Sequence, residues 1–452
     1  MTRTLLLGSP GTGKTESLLK RVDEALASGI KPHEIAFVTF TNAAADEAKE
    51  RACKMFGLEP KHLTNFRTIH SLCFRELGTK RSDILKKADL HQLSLITGER
   101  LVGKQVDASN PLEDTTGDTI LFLEQYARAT GTTLRAAWQA HGEQLDWFRT
   151  KRLADAYRVF KLDRMLVDFT DLLEEYVTNG GPINYIKLAI VDEAQDLTRL
   201  QWRVIDKAFG NVPEMLVGGD DDQAIHTWAG AATAHFLALP YEKRYLQKSH
   251  RLTAAVFNYA QRIISRIKHR FNKPTQPDSR VGTVEQLQST DHVDLRTGTW
   301  LVLARTQHLA GGVVDEARRR GLLYFNNGVS SVVPEHIELI TSHEQQRQAQ
   351  PSMPPWHDAL TQIPIGDREY YLTCRRQGEK LLSPPRIRIS TIHGSKGKQA
   401  DNVLLLTDIS QRVERGMELD QDSEHRVFYV GATRARERLC VVAPQYGRGY
   451  SI

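Results

Sequence analysis

The sequence has little cysteine and no long apolar run. Its four cysteines, Cys53, Cys73, Cys374 and Cys440, lie far apart in the 452 residues. They form no CxxC pair and no Cys/His spacing typical of a zinc or iron–sulfur site. Scattered thiols are typical of a reducing cytosol. No apolar run approaches the ~20 residues that cross a bilayer, and the apolar N-terminus runs directly into a glycine-rich loop. We therefore expect a cytoplasmic protein without a signal peptide or a membrane span.

A strong charge imbalance is also missing. The 60 basic residues nearly balance the 55 acidic ones, which leaves a net charge of +5 and a pI of about 8.9. This balance permits a polyanionic partner but does not require one. The chain is too long for one hydrophobic core and predicts about two to four domains.

What is present is a repeated pattern of apolar, strand-like runs with helical segments between them. These runs are Thr4–Leu7, Ile35–Thr39, Leu188–Val191, Met215–Val217, Thr299–Ala304, Ile387–Thr391, Val403–Thr407 and Leu439–Val442. Such alternation predicts parallel sheets, which bind ligands at the carboxyl ends of their strands. We expect two sheets, one before and one after roughly residue 245. Residues 79–150 have a helical pattern, and residues 331–384, rich in Gln, Pro and Arg, predict a loop-rich insertion.

The first apolar run ends in a glycine-rich loop that is followed by a helical segment. The loop comprises Gly8, Ser9, Pro10, Gly11, Thr12, Gly13, Lys14 and Thr15. Backbone amides of such a loop, with the following helix N-terminus, can cradle phosphates. Lys14 would reach the β and γ phosphates, and the Thr15 hydroxyl would help to hold Mg²⁺. The loop therefore predicts a nucleoside triphosphate ligand.

Two further apolar runs end in polar residues suited to the same chemistry. In the stretch LAIVDEAQDLT, the strand-like run ends at Asp192 and Glu193. Asp192 can hold Mg²⁺, and Glu193 can orient and deprotonate the attacking water. In MLVGGDDDQAIHTWAG, Gln223 can sense the γ-phosphate. Trp228 offers a flat surface to a base, although a lone tryptophan is more often a core residue.

Taken together, these strings resemble the A-type UvrD/Rep-like helicases of superfamily 1. The further strings that carry the resemblance, in the family's order, are FVTFTNAAADEAKER, TIHSLCFREL, DFTDLL, VDEAQDLT, GDDDQAIHTWAGA, LQKSHR, LVLARTQ, ISTIHGSKG and EHRVFYVGATRARERL. So many separate motifs in the right order are far more specific than any one of them.

The resemblance implies an α/β fold with two RecA-like P-loop NTPase motor domains, each a parallel sheet flanked by helices, with ATP bound between them. The first motor domain would comprise residues 1–78 and 151–245, with a helical insertion at 79–150. The second would comprise residues 246–330 and 385–452, with a short, reduced insertion at 331–384.

The resemblance also assigns residue roles. Lys14, Glu193 and Gln223 keep their catalytic roles, and Arg251 and Arg434 correspond to two arginine fingers from the second motor domain. Thr15 and Asp192 would hold Mg²⁺. His250 and Gln399 would line the nucleotide site with the phosphate loop. The DNA contacts implied are Phe40, Thr41, Asn42, Thr68, His70, Trp228, Thr391 and His393. Hydroxyl and imidazole donors suit phosphate contacts, and aromatic rings stack on bases of any sequence.

Four features depart from the family pattern. Only seven residues precede Gly8, so the usual adenine-contacting glutamine segment is not expected. His250 replaces a tyrosine that stacks on adenine. In GDDDQAIHTWAGA, Ala229 replaces an arginine and His226 a tyrosine. Gln399 replaces a glutamate near the sugar. These departures predict an active motor with looser nucleotide choice.

We therefore predict an ATP hydrolase with Mg²⁺ as cofactor: a DNA helicase and single-stranded DNA translocase of 3′-to-5′ polarity. Its expected substrates are single-stranded DNA and single-strand/duplex junctions, in repair, recombination or replication. One alternative is a translocase that displaces proteins or remodels junctions with little unwinding. Another is a nucleotide-gated DNA clamp. We expect a monomer acting on nucleoid or viral DNA, with replication or recombination proteins as partners.

Overall fold

The computed structural model describes residues 1–103 and 115–451. The chain divides into two units. The first contains residues 1–251 and 269–276, and the second contains residues 252–268 and 277 onward. The chain therefore passes between the units at three places, and the predicted segment 79–150 is described except for residues 104–114. Residue 452, which ends the predicted second domain, also lies outside the described residues.

The first unit is built on a parallel sheet. Within the described residues its strands are β1 (Thr2–Gly8), β2 (Ile35–Thr39), β3 (Phe66–Thr68), β4 (Leu188–Val191), β5 (Glu214–Gly219) and β6 (Glu242–Leu246). They lie in the order β3-β2-β4-β5-β1-β6, and every neighbouring pair is parallel. The sheet therefore brings the ends of β1, β4 and β5 to one edge, as expected for a ligand site.

Helices cover this sheet and form the adjoining helical segment. They are α1 (Lys14–Ala27), α2 (Asn42–Phe56), α3 (Ile69–Glu76), α4 (Lys87–Thr97), α5 (Thr116–Thr130), α6 (Leu134–His141), α7 (Trp147–Asp163), α8 (Phe169–Asn179), α9 (Arg199–Phe209) and α10 (Thr233–Leu237). The inner strands β2 and β4 are almost fully apolar because both faces of the sheet are covered, one by α1 and α2 and the other by α3, α8 and α9.

A buried ion-pair cluster stabilises the helical segment before β4. Arg128 of α5 and Lys161 of α7 both pair with Asp168, the N-cap of α8, at 2.7 and 2.6 Å. These two cations hold the pKa of Asp168 well below its usual range, against the opposing effect of burial. Asp171, one turn into α8, accepts from the same two cations. The DFTDLL string therefore anchors α5 and α7 to α8.

The second unit has the same architecture. Its strands are β7 (Thr283–Leu287), β8 (Trp300–Ala304), β9 (Tyr324–Asn326), β10 (Val329–Ser330), β11 (Ile387–Thr391), β12 (Ala400–Leu406) and β13 (Ala435–Val442). The sheet order is β10-β9-β11-β8-β12-β13-β7, parallel except for the β9/β10 pair. Its helices are α11 (Ala254–Ile264), α12 (Gln307–Arg319), α13 (Pro334–Ala349), α14 (Trp356–Ala359), α15 (Ile365–Arg376), α16 (Gln411–Leu419) and α17 (Gln421–Ala432). The predicted α/β class, with parallel sheets flanked by helices, is confirmed.

The prediction that residues 331–384 are loop-rich is wrong, because α13, α14 and α15 occupy much of this stretch. Three of its six prolines stand at helix starts, where no amide hydrogen bond is lost: Pro334 opens α13, and Pro355 and Pro364 are the N-caps of α14 and α15. Trp356 and Tyr371 of these helices are buried in the core of the second unit.

No helix among the described residues combines the length and the apolar character needed to cross a membrane. The longest helices of the first unit, such as α7, carry charged side chains on the solvent side. This finding agrees with the absence of a long apolar run in the sequence.

Candidate nucleotide and nucleic-acid site

The phosphate loop joins the end of β1 to the start of α1. Gly13 is the N-cap of α1 with φ 77°, and Gly11 also has φ 77°, a left-handed conformation that favours glycine. Lys14 is only 9% exposed, and its Nζ donates to the carbonyl oxygen of Gly8 at 2.8 Å. The first N–H groups of a helix have no partner inside the helix and carry positive potential. This loop therefore presents a cation and oriented donors in one place, as a phosphate group requires.

The SHR string lies directly against this loop. The Ser249 hydroxyl donates to the Pro10 carbonyl at 2.8 Å, and the His250 amide donates to the Gly11 carbonyl at 2.8 Å. A Cβ at Gly11 would overlap the Cβ of Arg251, so this approach requires glycine. The resemblance assigned Arg251 to the second motor domain, whereas Arg251 is the last residue of the first unit before the chain passes to the second. The predicted residues His250 and Arg251 therefore lie beside the phosphate loop.

The two predicted Mg²⁺ ligands, Thr15 and Asp192, come from segments that follow different strands of the sheet. The Thr15 hydroxyl at the start of α1 donates to Asp192 Oδ2, after β4, at 2.9 Å. Asp192 is 4% exposed, and its burial, together with the adjacent charge of Glu193, raises its pKa. Carboxylate and hydroxyl oxygens are ligands that Mg²⁺ prefers, and a divalent cation here would favour the ionised carboxylate. The donor set at Thr15 and Asp192 therefore fits Mg²⁺.

A hydrogen-bonded chain connects Glu193 to Gln223. Gln195 Nε2 donates to Glu193 Oε2 at 2.5 Å, and Gln195 Oε1 accepts from the Asp220 amide at 3.0 Å. Gln223 Nε2 in turn donates to Asp220 Oδ2 at 2.6 Å. A Cβ at Gly219 would lie 2.8 Å from Gln195 Oε1, so the second glycine of the GG pair permits this approach. The chain fixes the two predicted catalytic side chains relative to each other.

Glu193 has an unusual backbone. Its φ of 53° places a non-glycine residue in the left-handed region, and its own amide donates to Asp192 Oδ1 at 2.9 Å. Such a conformation is uncommon outside glycine and costs about 1–3 kcal/mol. The turn after β4 therefore directs two adjacent carboxylates differently: Asp192 faces Thr15, and Glu193 faces Gln195.

The second unit holds four of the predicted residues. Arg434, at the end of α17, is 1% exposed, and its guanidinium donates to the carbonyls of Val430 and Lys398 at 2.9 and 3.3 Å. Gln399, the next residue, is exposed. Thr391 is the last residue of β11 and His393 follows it, and the Thr391 hydroxyl accepts from the Gly394 amide at 3.1 Å. The string EHRVFYVGATRARERL therefore contacts Lys398, the residue that follows ISTIHGSKG.

Two hydroxyls predicted to contact DNA cap helices. Thr41 Oγ1 accepts from the Ala44 amide at the start of α2, and Thr68 Oγ1 accepts from the Ser71 amide at the start of α3. Asn42 is exposed at the first position of α2. Each helix start carries amide donors and positive potential, which suit a phosphate of a nucleic-acid backbone.

His70 lies beside Thr68 and packs edge-on against Phe169, with ring centroids 5.8 Å apart. Burial lowers the pKa of His70 to about 4, against the opposing charge of Asp168. The imidazole is therefore neutral at pH 7, and any phosphate contact it makes is a hydrogen bond rather than an ion pair.

The predicted stacking residues belong to one series of aromatic rings in the first unit, which we call the aromatic series. Phe40 stacks on His226 at 5.7 Å, His226 meets Trp228 at 6.3 Å, and Trp228 stacks on Phe122 at 6.1 Å. Phe122 then contacts Tyr126, one turn along α5, at 5.9 Å. All five rings are partly exposed. Trp228 therefore lies within a partly exposed row of rings, rather than alone in the core.

Phe122 and Tyr126 were not predicted from the sequence. Their spacing of four residues puts them on one face of α5, but nothing in the local sequence places that face beside Trp228. Gly230 makes the approach possible, since a Cβ there would lie 2.9 Å from Thr130 Cγ2 at the end of α5. The sequence features that could have indicated this packing are Gly230, close after Trp228, and the aromatic pair Phe122 and Tyr126 in the distant helix α5.

Two family descriptions match this chain. Residues 1–244 match the UvrD/REP helicase N-terminal domain, and residues 368–446 match the UvrD-like helicase C-terminal domain. The chain belongs to the UvrD/Rep helicase family. The predicted resemblance is confirmed, and the two units correspond to the family's N-terminal and C-terminal domains.

Named relatives of the UvrD/Rep family are similar over part of their length. The ATP-dependent DNA helicase PcrA of Staphylococcus aureus is 27% identical over 281 residues, which cover 58% of this chain and 37% of PcrA. DNA helicase II of Rickettsia typhi is 27% identical, covering 62% of this chain and 44% of the relative. The ATP-dependent DNA helicase Rep of Buchnera aphidicola is 23% identical, covering 63% and 44%. The matched region thus spans less than half of each relative.

Proposed function

We propose that this protein is an ATP-dependent DNA helicase and single-stranded DNA translocase. The proposal depends on one observation: the described first unit contains a phosphate loop, a Thr15–Asp192 pair and the aromatic series. The turn after β5 contributes residues both to the hydrolytic site and to the aromatic series. Gln223 at the start of this turn bonds to Asp220, and Trp228 lies five residues later. A shift of this turn on nucleotide binding would therefore move a stacking ring.

The chemistry follows from the side chains. Lys14 neutralises charge on the β and γ phosphates, and Glu193 takes the proton of the attacking water. Thr15 and Asp192 are the residues that would hold Mg²⁺, which neutralises the phosphate oxygens when bound. Arg251 and Arg434 are proposed as the arginines that stabilise charge developing on the γ-phosphate. His250 and Gln399 are proposed to contact the base and sugar.

The aromatic series supports single-stranded DNA as the other substrate. Stacking on Phe40, Trp228 and their neighbours tolerates any base, and the capped starts of α2 and α3 offer backbone contacts. Thr391 and His393 are proposed to contact the strand from the second unit. The polarity we propose is 3′-to-5′, with single-strand/duplex junctions as the site of action, a monomer as the active form, and repair, recombination or replication as the setting.

One observation favours a second candidate function, a translocase that displaces proteins or remodels junctions with little unwinding. Residues 331–384 contribute Trp356, Tyr371 and Cys374 to the core of the second unit. These residues complete that core, so α13, α14 and α15 are built as part of the unit and not as a separate strand-separating domain.

Two assays separate these candidates. Unwinding of a duplex with a 3′ single-stranded tail is compared with a 5′-tailed duplex, and displacement of a protein roadblock from single-stranded DNA is measured beside it. Preferential unwinding of the 3′-tailed duplex supports the helicase. Displacement without unwinding supports the second candidate. ATP binding with neither activity and negligible hydrolysis contradicts both and indicates a nucleotide-gated clamp.

A further inference from the structure

Residues 269–276 form a segment that we call the return segment. The chain leaves the first unit after Arg251, forms α11 in the second unit, comes back for residues 269–276, and enters the second unit again at Pro277. Both flanks of the return segment thus continue in the second unit, while the segment itself packs in the first. No motif of the resemblance covers it.

The middle of the return segment places a buried cation against the acidic turn after β5. The Lys273 ammonium is 1% exposed and lies 2.9 Å from Asp220 Oδ1 and 2.9 Å from Asp222 Oδ2, and it also donates to Asp221. Carboxylate oxygens of the three aspartates lie within 4.8 Å of one another, a spacing that a metal ion could also bridge. Here the Lys273 ammonium contacts all three carboxylates. The surrounding carboxylates raise the pKa of Lys273 well above its usual value, so it stays charged.

Further contacts fix the segment at both ends. Arg270 makes a bidentate pair with Asp222, both bonds 2.7 Å, and the Phe271 amide donates to Asp221 at 2.9 Å. Near the other end, the Thr275 hydroxyl lies 2.8 Å from the Ser9 hydroxyl in the phosphate loop. The return segment therefore contacts both the turn that carries Gln223 and the loop that carries Lys14.

Asp220 is the shared member of these contacts. Its Oδ1 pairs with Lys273, its Oδ2 accepts from Gln223, and its amide donates to Gln195. Without the ammonium, Arg270 would still pair with Asp222, but Asp220 and Asp221 would lose the contact with Lys273, and the turn would rearrange or take up protons. Either change removes the acceptor geometry that holds the Gln223 side chain.

We propose that Lys273 is a positioning residue for γ-phosphate hydrolysis. It acts through Asp220 to orient Gln223, and the return segment makes that orientation sensitive to the second unit, because both of its flanks belong there. This inference rests on the proposed ATP hydrolysis. It goes further by assigning a role to a buried lysine and a segment outside every motif.

A double-mutant cycle with a matched control tests the proposal. Lys273→Met, Gln223→Ala and the double variant are compared for kcat and KM of DNA-stimulated ATP hydrolysis. The control is Lys161→Met, alone and with Gln223→Ala, because Lys161 is a similarly buried ammonium that pairs with two carboxylates, Asp168 and Asp171. Lys273→Arg tests rescue by a conservative cation. Lys273→Met combined with Asp221→Asn removes one charge of each sign if the single variant does not fold.

We expect Lys273→Met to lower kcat about tenfold or more while KM for ATP changes less than about threefold. The double variant with Gln223→Ala should lose little more than either single variant, whereas the effects of Lys161→Met and Gln223→Ala should multiply. Lys273→Arg should restore part of the rate. Multiplying effects of Lys273→Met and Gln223→Ala, with an active wild-type enzyme, would overturn the proposal.

Hydrogen exchange in nucleotide-free protein supplies a readout that does not depend on activity. Lys273→Met should increase amide exchange in residues 220–223, and Lys161→Met should not. A wild-type protein that never hydrolyses ATP contradicts the proposed function, while the exchange experiment still tests the link to the turn. Unchanged exchange at residues 220–223 in Lys273→Met overturns that link.

Discussion

The Thr15 hydroxyl donates a 2.9 Å hydrogen bond to the carboxylate of Asp192, although 177 residues separate them in the chain. The parallel sheet makes this contact, since β1 and β4 end at the same edge with β5 between them. The pair joins a loop that suits phosphates to a turn that suits a metal ion and a general base. The proposed hydrolytic site follows from this geometry.

Removing either end of the hydrolytic machinery should stop turnover. We expect Lys14→Ala and Glu193→Gln to lower the ATP hydrolysis rate at least about a hundredfold, because one removes the phosphate cation and the other the proton acceptor. Binding of single-stranded DNA, measured by fluorescence anisotropy, should remain largely intact. Near-normal turnover by Glu193→Gln would refute its role as the base.

The Thr15 hydroxyl should matter for Mg²⁺. Thr15→Val keeps the side-chain shape but removes the oxygen, so we expect hydrolysis to need a higher Mg²⁺ concentration. Thr15→Ser keeps the oxygen and serves as the matched control. The measurement is a Mg²⁺ titration of ATP hydrolysis for the three proteins. Identical midpoints for Thr15→Val and wild type would remove Thr15 from the metal site.

The aromatic series should affect DNA-stimulated hydrolysis far more than unstimulated hydrolysis. Trp228→Ala and Phe122→Ala should each weaken DNA binding by about 1–3 kcal/mol, the usual value of one stacked base. Trp138→Ala is the control, since Trp138 is also a half-buried ring of the helical segment but packs on Trp147 at 5.5 Å. An equal loss of stimulated and unstimulated rates in Trp228→Ala would make it a core residue.

Arg434 should act in the hydrolytic step rather than in nucleotide binding. We expect Arg434→Ala to slow hydrolysis about a hundredfold or more with ATP affinity mostly kept, because an arginine finger stabilises charge that develops in the transition state. Arg438→Ala is the control: Arg438 lies on the adjoining strand and makes a bidentate pair with Glu285 at 2.8 and 2.9 Å. Unchanged hydrolysis by Arg434→Ala would reject the assignment.

The partly buried His70 should make stability depend on pH. Its pKa is about 4 in the folded protein and 6.5 in a model compound, so the unfolded chain binds the proton more readily below pH 6.5. Between pH 6.5 and 4 the wild type should therefore lose up to about 3 kcal/mol of unfolding free energy that His70→Asn does not lose. Urea denaturation at several pH values measures this. If the unfolding free energies of wild type and His70→Asn fall equally between pH 6.5 and 4, the lowered pKa of His70 is contradicted.

Strands buried on both faces were predictable, and edge strands were not. The runs Ile35–Thr39 and Leu188–Val191 are strands with the predicted bounds, because continuous apolar runs are typical of covered parallel sheets. Strand β6, with the sequence EKRYL, lies at the sheet edge and carries charged side chains there, so it lacks that pattern. The helices between residues 331 and 384 were missed because their prolines resemble loop signals.

The candidate site likewise contains some residues that could be predicted from the sequence and others that could not. Lys14, Thr15, Asp192 and Gln223 lie in motifs whose spacing predicts their chemistry. Phe122 and Lys273 lie in no motif, and only the fold brings them to Trp228 and Asp220. Long-range packing has no local signature in one sequence, so such residues emerge only from the structure.

The coupling of ATP hydrolysis to single-stranded DNA is tested most directly by steady-state ATP hydrolysis with and without single-stranded DNA, with RNA of the same sequence as control. We predict that DNA strongly stimulates ATP hydrolysis, because the turn after β5 belongs to both the hydrolytic site and the aromatic series. Hydrolysis that DNA does not change, in protein that binds both ATP and the strand, would contradict it.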